Sequence, residues 1–152
     1  MPVIVVGADT EVGTAIVTAL LPRQGEVRAF VTDIGAAEDL KRRGVKVALG
    51  DVSDGSHIGA AALSAFDAVL VATAADDERE RAFASDRDAV IAEWAEALAD
   101  AAVTRAIWVG DAIVPAGVTA AVPESAAVAV VDRTPEAVAA DVAALDEAAT
   151  LR

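Results

Sequence analysis

The first apolar segment of the chain, Pro2-Val3-Ile4-Val5-Val6, leads directly into the turn Gly7-Ala8-Asp9-Thr10-Glu11-Val12-Gly13 and then into helical spacing. A strand, a glycine turn and a helix in this order form the pyrophosphate pocket of a Rossmann-type fold. Gly7 allows a sharp turn off the strand, and Gly13 allows the helix to pack closely against the sheet. Thr10 stands at the middle glycine position of this fingerprint, with an acidic residue on each side. The segment predicts the fold and, at the same time, argues against tight binding of a ligand.

Composition bounds the size and class of the protein. The chain has 152 residues, of which 55% are hydrophobic and only 3% aromatic, so we expect a core of Ala, Val, Leu and Ile. This length predicts one domain over residues 1–152. No apolar run reaches the roughly 18 residues of a membrane span, and the first segment lacks the basic start of a signal peptide. Because cysteine is also absent, we expect a cytoplasmic protein without a membrane partner.

The charge of the chain argues against nucleic acid as a partner. Its formal net charge is −13 at pH 7, which repels a polyanion over most of the surface. The largest basic cluster is Lys41-Arg42-Arg43. We interpret this cluster as the last turn of a helix, where cations interact favourably with the helix dipole.

Strand and helix patterns alternate along the chain, which predicts a parallel sheet covered on both faces. Right-handed crossovers then give a doubly wound α/β/α fold of about six strands in the order 3-2-1-4-5-6. The stretch Gly110–Ser125, rich in Pro and Gly, predicts an irregular loop, and residues 127–152 a terminal strand and helix. The predicted strands are Pro2–Val6, Val27–Val31, Val45–Leu49, Ala68–Ala72, Arg105–Val109 and Ala127–Val131, and the intervening predicted helices include Ala36–Arg43, Ile58–Leu63 and Asp86–Ala102.

In such a sheet a dinucleotide binds beyond the carboxyl ends of the strands, near the switch point between strands 1 and 4. Asp33 follows strand 2, where a carboxylate accepts hydrogen bonds from ribose hydroxyls and repels a 2′-phosphate. No arginine occupies position 32 to attract that phosphate, so NAD(H) is favoured over NADP(H). Two alternatives remain open. In the first, Asp33 does not contact the ribose and only caps the following helix. In the second, Asp51, a candidate for contact with the adenine amino group, is instead an ordinary turn residue.

Several short segments together resemble the atypical short-chain dehydrogenase/reductase group, and most closely its NmrA-like branch. They are Gly7-Ala8-x-x-x-Val12-Gly13, Leu21–Val31, Gly44–Val47 with Gly50-Asp51, and Val103–Val109. The resemblance covers residues 1–112 and implies a dinucleotide pocket. The chain departs from the family pattern at Thr10, at Thr32, where arginine is common, and at Gly110, where a serine often ends strand 5; the family's C-terminal substrate part is almost entirely absent. The candidate cofactor-binding residues are Gly7, Ala8, Thr10, Glu11, Val12, Gly13, Asp33, Asp51, Val52 and Thr73.

The composition excludes the short-chain reductase mechanism. That mechanism requires a tyrosine acid and a lysine four residues later that lowers the pKa of the phenol, whereas this chain has no tyrosine. Its only lysines, Lys41 and Lys46, precede the fourth predicted strand. We therefore expect no catalytic residues.

Metal and triad chemistry are not expected either. The single histidine, His57, and the absence of cysteine leave no zinc constellation. His57 follows the turn Asp54-Gly55-Ser56, which is no nucleophile elbow, and we interpret it as a solvated residue. The run Asp76-Asp77-Glu78 is interpreted as a solvated helix start rather than a cation site.

Three functions remain as hypotheses. The first is a non-catalytic module that reports on NAD(H) through a homodimer or a protein partner, with affinity weakened or lost because Thr10 narrows the turn and Asp9 and Glu11 oppose the pyrophosphate. The second is a Rossmann scaffold that binds no nucleotide and acts as an interaction domain. The third is a regulatory domain resembling the TrkA-N/RCK modules of potassium transport, which Gly44-Val45-x-Val47, Gly50–Asp54 and Asp67–Thr73 also fit.

Overall fold

The structure, a computed structural model, describes residues 1–23, 25–76 and 81–150, with side chains as far as residue 148. The described residues contain six strands: β1 (Val3–Val6), β2 (Val27–Val31), β3 (Lys46–Leu49), β4 (Asp67–Val71), β5 (Arg105–Gly110) and β6 (Ser125–Ala129). All neighbouring strands are parallel. Their order, β3-β2-β1-β4-β5-β6, confirms the predicted doubly wound sheet.

Helices cover both faces of this sheet. They are α1 (Glu11–Leu20), α2 (Ile34–Arg42), α3 (Gly55–Ala61), α4 (Arg87–Asp100), α5 (Ala116–Ala121) and α6 (Pro135–Thr150), and a 3₁₀ helix follows β4 (Ala72–Asp76). Side chains of α1, α2 and α6 pack on one face, and those of α3, α4 and α5 pack on the other. The three-layer architecture is therefore present as predicted.

Each central strand contributes to two hydrophobic cores because its side chains alternate between faces. In β1, Ile4 and Val6 face the core with α3, α4 and α5, whereas Val3 and Val5 face the core with α1, α2 and α6. All four residues are fully buried. Burial of each side chain stabilises the fold by about 1.5–3 kcal/mol, which explains why the strand is apolar throughout.

The structure corrects the prediction for residues 110–125. This stretch is not irregular throughout, because it contains α5. Val118 and Val122 lie one helical turn apart and are buried in the core, which outweighs the helix-breaking tendency of Gly117. β6 begins at Ser125 rather than at Ala127, since its register pairs Ser125 with the second residue of β5.

The second helix begins two residues earlier than predicted. Asp33 is its N-cap, and the Asp33 carboxylate accepts a hydrogen bond from the backbone N–H of Ala36 at 2.8 Å. Lys41 and Arg42 lie in the last turn, which confirms our interpretation of the basic cluster. Arg43 is the C-cap residue and donates a hydrogen bond to Thr18 at 2.7 Å.

A buried ionic network connects α6 to the amino edge of the sheet, opposite the predicted ligand site. Arg105 donates to both carboxylate oxygens of Asp67, at 2.7 and 3.0 Å, and to the carbonyl of Leu145 at 2.6 Å. Arg23 pairs with Asp146 at 2.6 Å. Burial, together with the neighbouring carboxyl of Asp146, raises the pKa of Asp67 to about 6 against the lowering effect of Arg105.

Candidate functional site

The glycine turn after β1 is as tight as the fingerprint predicts. Gly7 has φ +89°, and a Cβ atom added to it would lie 2.7 Å from Cβ of Ala74. A Cβ atom added to Gly13 would lie only 2.0 Å from the carbonyl oxygen of Gly7. Gly7 is therefore required by its positive φ and by the 3₁₀ helix that follows β4. Gly13 is required by the close packing of α1 on the end of β1, which is the geometry that directs the helix N-terminus at a pyrophosphate.

Thr10 uses its hydroxyl within the turn. Oγ1 donates to the carbonyl of Gly7 at 2.7 Å and accepts from the backbone N–H of Gly13 at 2.9 Å. The threonine is thus the N-cap of α1 and occupies one amide that the middle glycine would leave to a phosphate. The N–H groups of Glu11 and Val12, the first two residues of the helix, have no acceptor within it and still suit an anion.

Asp9 is one of the two acidic residues of the turn that we expected to oppose the pyrophosphate. Its Oδ2 accepts hydrogen bonds from the backbone N–H groups of Thr32 and Asp33, at 2.9 and 3.0 Å. The carboxylate is therefore bound to the end of β2, on the side where the ribose contact was predicted, while Glu11 remains exposed at the turn itself.

Asp33 lies exposed at the end of β2, where the ribose contact was predicted. It also caps α2 through Oδ2, so the alternative of a capping residue is correct as a structural description. A cap through one oxygen and a ribose contact through the other are compatible, because an ionised carboxylate has about four acceptor sites.

Asp51, after β3, organises the neighbouring loop. Its Oδ1 accepts from the N–H and the hydroxyl of Ser53, at 2.8 and 2.6 Å, and its Oδ2 accepts from the N–H of Ala82 at 2.7 Å. Burial works against the charged form, but these hydrogen bonds outweigh it and lower the pKa of Asp51. Val52 is buried, and its carbonyl accepts a hydrogen bond from the indole of Trp94 at 2.7 Å.

The carboxyl ends of β4 and β5 form the other half of the site. Thr73 is exposed in the 3₁₀ helix. A Cβ atom added to Gly110 would lie 2.6 Å from Cβ of Ala72 and 3.2 Å from Nε1 of Trp108. A serine therefore does not fit at position 110 without movement of the 3₁₀ helix. The buried Nε1 of Trp108 has no hydrogen-bond partner among the described residues.

His57 is not the solvated residue that we predicted. It is half-buried, and its ring meets the ring of Phe30 edge to face at a centroid distance of 5.1 Å. Of the run Asp76-Asp77-Glu78, only Asp76 is described, and it pairs with Arg87 at 3.2 Å; the other two lie outside the described residues. The described residues hold no cluster of three or more metal-ligating side chains. None of the described helices is long and apolar enough to span a bilayer.

Comparison with known proteins identifies the family of this chain. Residues 7–148 match the model of a family described as NAD(P)H-binding. The chain belongs to the NAD(P)H-binding family. Its fold and glycine turn agree with this membership, and no curated protein matches its sequence.

Several solved structures share the fold of this NAD(P)H-binding protein. ChuY, an anaerobillin reductase from Escherichia coli O157:H7, is 25% identical with a TM-score of 0.55, over 80% of this chain and 59% of that one. The Citrobacter sp. triphenylmethane reductase complexed with NADP(H) is 16% identical with a TM-score of 0.59, over 95% and 46%. A nucleoside-diphosphate-sugar epimerase from Pseudomonas aeruginosa is 13% identical with a TM-score of 0.57, over 72% and 33%. The NAD(P)H-binding chain thus spans between 33% and 59% of these three proteins.

Sequence reasoning missed part of the site in this NAD(P)H-binding chain. It did not include Ser53, which is fully buried and accepts a hydrogen bond from the N–H of Phe83 at 2.9 Å. The spacing Asp51-x-Ser53 is typical of a side chain that bonds the backbone two residues later, and this signal was available. The contact of Asp51 with Ala82 had no such signal, since 31 residues separate the two.

Proposed function

We propose that the chain is a non-catalytic NAD(H)-binding module that reports on nicotinamide nucleotide through a second copy or a protein partner. Membership of the NAD(P)H-binding family supports a nucleotide ligand. The observation that carries the proposal is the close packing of Gly13 on the end of β1, where an added Cβ atom would lie 2.0 Å from the carbonyl oxygen of Gly7. This packing aims the N-terminus of α1 at the carboxyl edge of the sheet. In this proposal the turn from Gly7 to Gly13 holds the pyrophosphate, Asp33 the ribose, Asp51 and Val52 line the adenine end, and Thr73 lies at the nicotinamide end.

A preference for NAD(H) over NADP(H) follows from the charges at the end of β2. The N–H groups of Thr32 and Asp33, which would suit a 2′-phosphate, already bind the carboxylate of Asp9. The carboxylate of Asp33 adds a second negative charge on the same side. Each opposing charge near the surface weakens binding by about 1 kcal/mol, so we expect NADP(H) to bind at least about tenfold more weakly.

The non-catalytic part of the proposal is supported by a missing residue type and by the close packing around position 110. The chain has no tyrosine to act as the reductase acid. A serine at position 110 would collide with Ala72, so the chain has no room for that element of the family's pattern. The missing tyrosine acid favours binding over turnover.

Calorimetric titration and thermal shift with NAD⁺, NADH, NADP⁺ and AMP test this proposal. We expect NAD⁺, NADH and AMP to raise Tm at millimolar concentration, because a ligand that binds the native state stabilises it. NADP⁺ is expected to raise Tm less. A Tm that no nucleotide changes would contradict the proposal, and steady oxidation of NADH with a quinone acceptor would contradict its non-catalytic part.

A second candidate is an interaction scaffold without nucleotide. The capping of Gly13 by Thr10 favours it, because an amide of the turn is already satisfied without a phosphate. Under this hypothesis, the same titrations leave Tm unchanged while the protein still forms a defined complex.

A further inference from the structure

Three successive residues are fixed to the carboxyl edge of the sheet by hydrogen bonds. Arg81 donates from its guanidinium to the carbonyl of Ala75 at 3.1 Å. The N–H of Ala82 donates to Asp51 at 2.7 Å, and the N–H of Phe83 donates to Ser53 at 2.9 Å. The backbone beside Phe83 is therefore held in place by polar groups of the loop that follows β3.

The side chain of Phe83 is nevertheless 63% exposed. Large hydrophobic side chains that are exposed among the described residues also occur at positions 34, 113 and 131, after β2, β5 and β6, but Phe83 is the only aromatic ring of this group. An aromatic side chain that is anchored through its backbone and largely exposed provides a surface for stacking.

The position of Phe83 corresponds to one end of a dinucleotide. If the pyrophosphate lies at the turn after β1 and the ribose at the end of β2, the adenine attached to that ribose lies beyond the end of β2, on the side away from the turn. The loop after β3, which contains Asp51 and Ser53, lies next in this direction. Phe83 is hydrogen-bonded to that loop and is thus within reach of the base.

We propose that Phe83 forms the stacking surface for the adenine of the bound nucleotide. This inference rests on the proposed function and deepens it, because it assigns the purine subsite. Asp51 and Ser53 are positioning residues here, since they act through the backbone of Ala82 and Phe83. The site takes adenine nucleotides in general, whether free AMP or the adenosine half of NAD(H).

Calorimetric titration with AMP and NAD⁺ tests the proposal on the wild-type chain and on three variants. Phe83→Ala removes the ring, Phe83→Trp retains stacking, and Ile113→Ala is the control, since Ile113 is 80% exposed after β5. We expect Phe83→Ala to weaken AMP and NAD⁺ about tenfold, which is typical of the loss of one stacked base. Phe83→Trp and Ile113→Ala are expected to bind both ligands as the wild type does.

Fluorescence of Phe83→Trp gives a second readout. Both native tryptophans, Trp94 and Trp108, are at most 1% exposed, so a change in the emission of the new ring on addition of AMP reports stacking at position 83. If Phe83→Ala lowers Tm, this readout decides the question alone. Emission that does not change at saturating AMP overturns the inference.

The outcomes separate this inference from the proposed function. If the wild-type chain binds NAD⁺ and Phe83→Ala binds it equally well with an unchanged Tm, the stacking role is wrong and the proposed function stands. If the wild-type chain binds no nucleotide, the proposed function fails and the inference fails with it.

Discussion

The carboxylate of Asp9 lies 2.9 Å from the backbone nitrogen of Thr32, so a side chain of the first turn closes onto the end of the second strand. A bond to the N–H of Asp33 at 3.0 Å completes the arrangement. In the proposed binding mode, a carboxylate thus satisfies two amides at the point where NAD(H) and NADP(H) differ by a phosphate. A substitution of Asp9 alone therefore tests the preference between NAD(H) and NADP(H).

Asp9→Asn is expected to shift cofactor preference toward NADP⁺. Loss of the charge removes repulsion of about 1 kcal/mol, so the ratio of NADP⁺ to NAD⁺ affinity should rise about fivefold. The weaker hydrogen bonds to Thr32 and Asp33 should also lower the free energy of unfolding by about 1–2 kcal/mol. Parallel calorimetric titrations measure the ratio. Asp39→Asn, an exposed position on α2, is the matched control for net charge, and equal ratios in the two variants would show that Asp9 has no role in preference.

Thr10→Gly combined with Glu11→Ala is expected to tighten NAD⁺ binding about tenfold. The change frees the N–H of Gly13 and removes an exposed carboxylate from the turn. A Thr-to-Gly change at an N-cap lowers stability by only a few tenths of a kcal/mol, so the fold should persist. Glu136→Ala, in the first turn of α6, is the control carboxylate. Unchanged affinity in the double variant would mean that Thr10 and Glu11 do not limit the binding of NAD⁺.

Gly13→Ala is expected to destabilise the protein by about 3 kcal/mol or more, because its Cβ would lie 2.0 Å from the carbonyl of Gly7. Gly117→Ala is the contrasting change. It adds a Cβ with no heavy atom within 4 Å inside α5, and we expect it to stabilise the protein by about 0.5–1 kcal/mol. Urea unfolding measures both. If Gly13→Ala and Gly117→Ala change the free energy of unfolding by similar amounts, the close packing of α1 on β1 is absent in solution.

The raised pKa of Asp67 predicts a pH dependence of stability. Because its folded pKa of about 6 exceeds the ordinary pKa of 3.8, the native state holds the proton more tightly than the unfolded state. Its contribution to stability is present below about pH 4 and is lost as pH rises through about 6, by about 3 kcal/mol at most.

Asp67→Asn should remove this dependence, because the amide does not titrate. Unfolding free energies at pH 4.5 and 6.5 are compared between this variant and the wild type, so that titration of other carboxylates cancels. Asp146 and Arg105 face the same group and remain in both proteins. A pH dependence that is identical in the two proteins would contradict the raised pKa.

Much of the fold was predictable because its signals are local. The apolar run of β1 is explained by burial on two faces, and Gly7 and Gly13 occupy the positions that the turn requires. The short helix α5 was missed, because its signal is a single pair, Val118 and Val122, between residues typical of turns. Edge strand β6 was shifted by two residues, since an alanine-rich strand has little pattern to define its ends.

The order of apolar segments and the spacing of glycines determined by themselves that this chain forms a doubly wound sheet with a nucleotide turn, because helix and strand periodicity is written in neighbouring residues. Only the tertiary structure decided that Asp9 binds the end of β2 and that Asp51 holds the segment of Phe83. These contacts join residues 23 and 31 positions apart. Which amide a carboxylate reaches over such a separation depends on how the strands are stacked side by side, and no local pattern encodes that distance.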